Sequence, residues 1–209
     1  MKKAIIFDMD GVLIDSEPFY QKRREDFFKH YDIVLSPAQQ QEFIGSNPDD
    51  MFRFLFPNDL KRQLALKHDY LNYKHDHVIS YTDIINPDLV NTLERLKQHH
   101  LKIAIASSGS LESIQSVLKA NHLLNTFNVI VSGTQFERSK PHPAIYLETL
   151  SQLNLSASEC LAIEDSTHGI QAAKSAGIEV LALRETRYQT DQSQATATID
   201  SLLEILNWL

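Results

Sequence analysis

With a single cysteine, Cys160, the chain cannot close a disulfide within itself, and the apolar run Cys160-Leu161-Ala162-Ile163 reads as a buried strand in which the thiol simply packs. No apolar stretch approaches the ~18 residues of a membrane span. The short run after Lys2 and Lys3 is broken by Asp8 and Asp10 before it could form the core of a signal peptide. A basic excess is also missing: 20 Lys+Arg against 27 Asp+Glu leave a net charge of −7, which argues against broad binding to a nucleic-acid backbone, where cations must displace counterions. There is no internal repeat and no low-complexity tract. We therefore expect a cytoplasmic protein with no nucleic-acid and no membrane partner, a monomer or weak homodimer. Its 209 residues, 43% hydrophobic and 22% charged, suit one or two globular domains.

What is present is an alternation. Short β-rich runs at residues 3–7, 102–106, 129–131, 161–163 and 180–183 are separated by helical spacing at residues 87–99, 111–122, 143–153 and 170–176. That is the pattern of parallel strands joined by crossover helices, an α/β Rossmann-like parallel sheet core. Asn86 before Pro87 reads as an N-cap, Ser156 with Glu159 as a capping box, and Gly177 as a C-cap glycine. From Ser16 to Asp83 the alternation stops and the pattern is helical throughout. We read residues 16–83 as an inserted all-α helical cap domain, with the core made of residues 1–15 and 84–209. Ser36-Pro37 marks a helix start inside the insertion and Gly45-Ser46-Asn47-Pro48 a turn between helices.

Four clusters follow the predicted strands. Asp8-Met9-Asp10-Gly11-Val12 comes after the first, where an α/β sheet gathers its chemistry beyond the strand ends. Two carboxylates at i and i+2 can divide attack on phosphorus (Asp8) from proton transfer (Asp10), although the same residues also suit a strand-end turn that caps backbone N–H groups. A calcium loop is excluded, because Gly11 is fourth from Asp8 and that loop needs glycine sixth. Ser107-Ser108-Gly109-Ser110 offers hydroxyls and N–H groups for a phosphate, or a plain helix cap. Lys140, between Ser139 and Pro141, can offset phosphate charge or simply sit in water. Glu164-Asp165, adjacent acids at a buried strand end, would repel each other unless a cation lay between them. Asp8, Asp10 and Asp165 form an oxygen ligand set suited to magnesium.

These residues, in this order and over essentially the whole chain, resemble the haloacid dehalogenase superfamily, in its helical-cap branch of phosphatases and sugar-phosphate mutases. Ile163-Glu164-Asp165-Ser166-Thr167-His168-Gly169-Ile170 is an especially diagnostic stretch. The resemblance implies Asp8 as nucleophile and Asp10 as acid/base. It implies Ser107, with Ser108 beside it, and Lys140 as holders of the transferring phosphoryl group. Mg2+ would be bound by Asp8, the carbonyl of Asp10 and Asp165, with Glu164 nearby or ligating, and Gly45, Ser46 and Asn47 would form the substrate loop of the cap. The expected partner is a small-molecule phosphate ester.

Asp10 favours phosphate esters, since a dehalogenase would not need it. Related mutases carry a lysine before the cap-loop glycine and an arginine soon after; this chain has Ile44 and Pro48, and Tyr20 where a histidine is expected, which favours a hydrolase over a β-phosphoglucomutase-like mutase. A phosphoacceptor or binding module without turnover is the reading of another class. We expect Arg23, Arg24 and Arg53 on solvated helix faces, Phe52, Phe54 and Phe56 in the cap core, and His75, His77, His99 and His100 on the surface.

Overall fold

The computed structural model describes every residue except Gly45, Val78 and Gln189. The chain divides into two compact units, Met1–Asp15 with Tyr81–Leu209, and Ser16–Ser80. Residues 81–83, expected with the insertion, group with the sheet unit. There the Asp15 N–H donates to the Ile84 carbonyl at 2.7 Å, and the Asn121 amide donates to the Tyr81 carbonyl at 3.2 Å.

In the sheet unit, β1 (Ala4–Phe7), β2 (Lys102–Ser107), β3 (Val129–Ser132), β4 (Cys160–Glu164), β5 (Glu179–Leu183) and β6 (Ala197–Ile199) form one six-stranded sheet in the order β3-β2-β1-β4-β5-β6. All neighbours run parallel. The chain moves outward from β1 through β2 and β3, then returns to lay β4 on the other side of β1. The strand ends of β1 and β4 therefore flank the crevice where α/β sheets hold ligands. The edge strand β6 was not expected; three residues, Ala-Thr-Ile, are too few for an alternation to show.

Residue parity decides which side chain faces which layer. Ile5, Phe7, Ile103, Ile105, Leu161 and Ile163 turn to one face, into the core cluster shared with α5 (Leu89–Gln98), α6 (Leu111–Ala120) and the C-terminal 3-10 segment Leu202–Trp208. Ala4, Ile6, Ala104, Ala106, Ala162 and Ala182 turn to the other, under α7 (Ala144–Leu153) and α8 (Thr167–Ser175). The second face is mostly alanine, so large side chains on α7 can reach the sheet; Tyr146 is fully buried there. Each large apolar side chain buried in this way contributes roughly 1.5–3 kcal/mol.

Helix α8 starts where Ser166 Oγ accepts the Gly169 N–H at 3.1 Å, and Gly177, φ +77°, follows its cap Ala176. Ser156 and Glu159 form the expected capping box, on the 3-10 turn Ala157–Glu159. Asn86 is not an N-cap. Helix α5 begins at Leu89, and Asn86 instead accepts the Asp88 N–H at 3.0 Å and donates to the Val12 carbonyl at 3.1 Å.

The second unit holds α1 (Glu17–Lys29), α2 (Pro37–Glu42), α3 (Pro48–Leu55) and α4 (Leu60–Asp76) around Phe27, Phe28, Phe43, Met51, Phe52, Leu66 and Tyr70. Phe52 is buried, but Phe54 is 50% exposed, so only part of the expected aromatic trio packs inside. Arg53 is exposed and pairs with Asp50. Arg23 and Arg24 depart from expectation: both are buried. Arg24 donates to Glu17 Oε1 (2.5 Å) and Gln40 Oε1 (2.9 Å), while Arg23 lies over the rings of Tyr20, Phe19 and Tyr70 at 4.8, 5.3 and 5.9 Å. A helical pattern alone does not show that a guanidinium plate can fill an aromatic niche. His75, His77, His99 and His100 are exposed. Among the described residues no helix is long and apolar enough to cross a membrane.

Candidate active site

Asp8 and Glu164 sit at the carboxyl ends of β1 and β4, level with each other because Phe7 pairs with Ile163 and the Asp8 N–H donates to the Ile163 carbonyl at 2.9 Å. By parity both carboxylates belong to the alanine face, the side covered by α7. Lys140 approaches from the segment before α7 and uses all three ammonium donors. They reach Glu164 Oε1 (2.6 Å), Asp8 Oδ1 (2.7 Å) and the Ala106 carbonyl (2.9 Å). Tyr146, one turn into α7, donates to the same Glu164 Oε1 at 2.5 Å. Glu164 is thus pinned through one oxygen, while Oε2 is buried with no hydrogen-bond partner among the described residues.

Asp165 follows Glu164 and is also buried. Carboxylate oxygens from Asp8, Glu164 and Asp165 lie within 4.8 Å of one another. Two glycines make room for them. Gly11 has φ +80°, and a Cβ there would stand 2.0 Å from Asp165 Oδ2; a Cβ on Gly169 would stand 1.9 Å from Glu164 Oε2.

The electrostatics are those of a site that wants a cation. Burial, then repulsion from Asp8 and Glu164, hold the Asp165 carboxyl well above its ordinary value. Burial also raises Glu164, with Lys140 opposing it and Asp8 adding to it. Burial alone would lower Lys140, but Asp8 and Glu164 outweigh it and the net shift is upward. One ammonium cannot offset three crowded carboxylates, and Glu164 Oε2 has no hydrogen-bond partner among the described residues; a divalent ion with oxygen ligands answers both deficits. The donor set therefore fits such an ion. Among the described residues this is the cluster with metal-ligand spacing, and it includes no histidine.

The other predicted site residues are placed as follows. Asp10 makes a bridge pairing with Ile14 and is near enough to Asp165 to raise its pKa. Ser107 ends β2, fully buried, with its Oγ accepting the Gly109 N–H at 3.1 Å. A Cβ on Gly109 would meet Ser107 Oγ at 3.3 Å and Met9 Cε at 3.6 Å, so this loop lies beside the one carrying Asp8 and Asp10. Ser108 is half-buried, its Cα 3.0 Å from where a Cβ on Gly133 would be. In the helical unit, Ser46 Oγ donates to the Phe43 carbonyl, and Asn47 caps α3 by accepting the Asp50 N–H; Gly45 lies outside the described residues. Tyr146 was not anticipated from the sequence, since a tyrosine at a core position of a helix reads as packing. No sequence pattern marked it, because Lys140 lies before the helix that carries Tyr146.

The haloacid dehalogenase-like hydrolase family model matches residues 5–183. The chain is 33% identical over 183 residues to a phosphorylated carbohydrates phosphatase of Thermotoga maritima, covering 85% of this chain and 82% of that protein. It is 28% identical to a β-phosphoglucomutase of Bacillus subtilis, covering 84% and 80%. The fold superposes on a crystal structure of β-phosphoglucomutase from Clostridium difficile with a TM-score of 0.83, at 21% identity over 98% of this chain and 93% of that one. The sheet order, the strand-end acids and the match over most of the sequence agree: the chain belongs to the haloacid dehalogenase-like hydrolase family.

Proposed function

We propose that the protein is a magnesium-dependent phosphatase that hydrolyses a small phosphorylated metabolite, a sugar phosphate or similar, through an aspartyl-phosphate on Asp8. The observation that carries this reading is the Lys140 ammonium held between Asp8 and Glu164 with Asp165 alongside. Four residues from three distant stretches share one strand-end crevice.

Lys140 holds Asp8 Oδ1, and Oδ2 has no protein partner among the described residues, so Asp8 has an oxygen with which to attack phosphorus in line. Lys140 compensates charge on the phosphoryl oxygens, and Ser107, whose Oγ accepts the Gly109 N–H, has its own O–H to donate to them. Asp10 donates a proton to the departing alcohol oxygen, then takes one from the water that attacks phosphorus, releasing phosphate and regenerating the Asp8 carboxylate. Asp8, Glu164 and Asp165, with Asp10 adjoining, would hold Mg2+, which supplies charge neutralisation at the phosphoryl oxygens. Ile44 and Pro48 in the cap loop support hydrolysis over transfer between sugar positions, because neither can grip a second phosphate.

Phosphate release from sugar, polyol and nucleoside monophosphates, with and without Mg2+, tests the reading. We expect Mg2+-dependent turnover of at least one class, its loss in Asp8→Asn, and little glucose 6-phosphate from β-glucose 1-phosphate. Efficient sugar-position transfer would make it a mutase, and binding without turnover a phosphoacceptor module.

A further inference from the structure

The segment after β5 reaches back to the site. Glu164 pairs with Ala182 at the end of the β4–β5 ladder, so Asp165 and Leu183 are the next residues in register, but Asp165 has left the ladder to enter the site. The side-chain amide of Gln192 fills the missing rung. Its Nε2 donates one hydrogen to the Asp165 carbonyl (2.7 Å) and the other to the Leu183 carbonyl (2.8 Å). The preceding residue closes the same turn from its far side: the Asp191 N–H donates to Thr167 Oγ1 (2.9 Å), which donates to the Asp191 carbonyl (3.0 Å).

Asp165 needs such a brace. Its carboxylate has no protein hydrogen bond among the described residues, and it stands among Asp8 and Glu164, which repel it. With the side chain unheld, its position depends on the backbone, and the anchor seen on that backbone is Gln192. We propose that Gln192 is a positioning residue that fixes Asp165 for cation binding; this rests on the reading of Asp165 as a ligand. Groups that orient metal ligands typically affect affinity 10–100-fold.

The test is Mn2+ binding to the whole protein, read by the electron paramagnetic resonance signal of the free ion, for the parent and for Gln192→Met, which keeps length and loses both donors. A dissociation constant raised about tenfold is expected. The activation constant for Mg2+ should rise in step, while the rate at saturating Mg2+ stays within about twofold of the parent and the metal-free variant still melts cooperatively. Gln192→Glu, the same shape with a carboxylate against two carbonyls, should lose more; Thr167→Val, which removes the outer clasp alone, should lose less. Asp165→Asn is the reference. If it abolishes Mn2+ binding and neither Gln192 variant weakens it, the positioning role is overturned. If Asp165→Asn binds Mn2+ as the parent does, the ligand assignment falls and the brace with it.

Discussion

Lys140 in the sheet unit and Arg23 in the helical unit are buried to the same degree, 7% and 8% exposed, and are treated in opposite ways. Lys140 has each of its three N–H donors matched by an oxygen, two of them carboxylate. Arg23 faces aromatic rings, and its Nε is buried with no hydrogen-bond partner among the described residues. The first arrangement over-determines one point charge, as the proposed contact with a phosphoryl group would require. The second uses a flat, weakly hydrated cation as filler, and its neighbour Arg24 takes the carboxylate of Glu17 instead. Burial of a cation is therefore no sign of function by itself; the partners decide.

Removing the cation should break the sheet unit first. Lys140→Met leaves Asp8, Glu164 and Asp165 crowded with no ammonium, and loss of one partner from a buried ion pair costs about 3–5 kcal/mol. We expect phosphatase activity to vanish and the stability to fall by that order in urea titration, with added Mg2+ stabilising the variant more than the parent. Crowding the same acids from the other side is the next largest effect. Gly11→Ala combines a left-handed backbone, roughly 1–3 kcal/mol for a non-glycine residue, with a Cβ 2.0 Å from Asp165 Oδ2. Its Mn2+ affinity and turnover should both drop, whereas Gly177→Ala, with similar φ but only a methyl at 3.6 Å, should lose stability alone.

In the helical unit the signs separate. Arg24→Met removes the cation paired with Glu17 and should destabilise, while Arg23→Met replaces a cation with no ion pair among the described residues and should be neutral or stabilising by about 1 kcal/mol. Equal losses from the two variants in denaturant titration would break the comparison. The smallest effect concerns the buried free thiol. Burial pushes the Cys160 thiol, at the start of the strand that ends in Glu164, up to about 11. Both states are protonated below its ordinary value near 9, so stability should fall as pH rises from about 9 to 11 because the unfolded thiol ionises first. That component should be absent in Cys160→Ala.

Much of this could be read from the sequence because the signals are local. The continuous apolar runs of β1 and β4 and the acids directly after them lie within a few residues, and strand parity then turns Asp8 and Glu164 to the same side. Lys140 was legible as a charge held by prolines. Tyr146 and Gln192 were not, because each acts across the fold, through Glu164 Oε1 and the Asp165 carbonyl, and neither carries a charge to mark it. The burial of Arg23 was hidden for a similar reason. It depends on Tyr70, which belongs to another helix far along the chain.

The central claim is that Asp8 accepts the phosphoryl group. Acid-quenching the protein during turnover of a sugar phosphate with Mg2+, then mapping peptides by mass, tests it directly. The account predicts a phosphoryl group on Asp8 in the parent, accumulating in Asp10→Asn and missing without Mg2+. Steady phosphate release with no label on Asp8 in either protein, or a label carried by another residue, would contradict it.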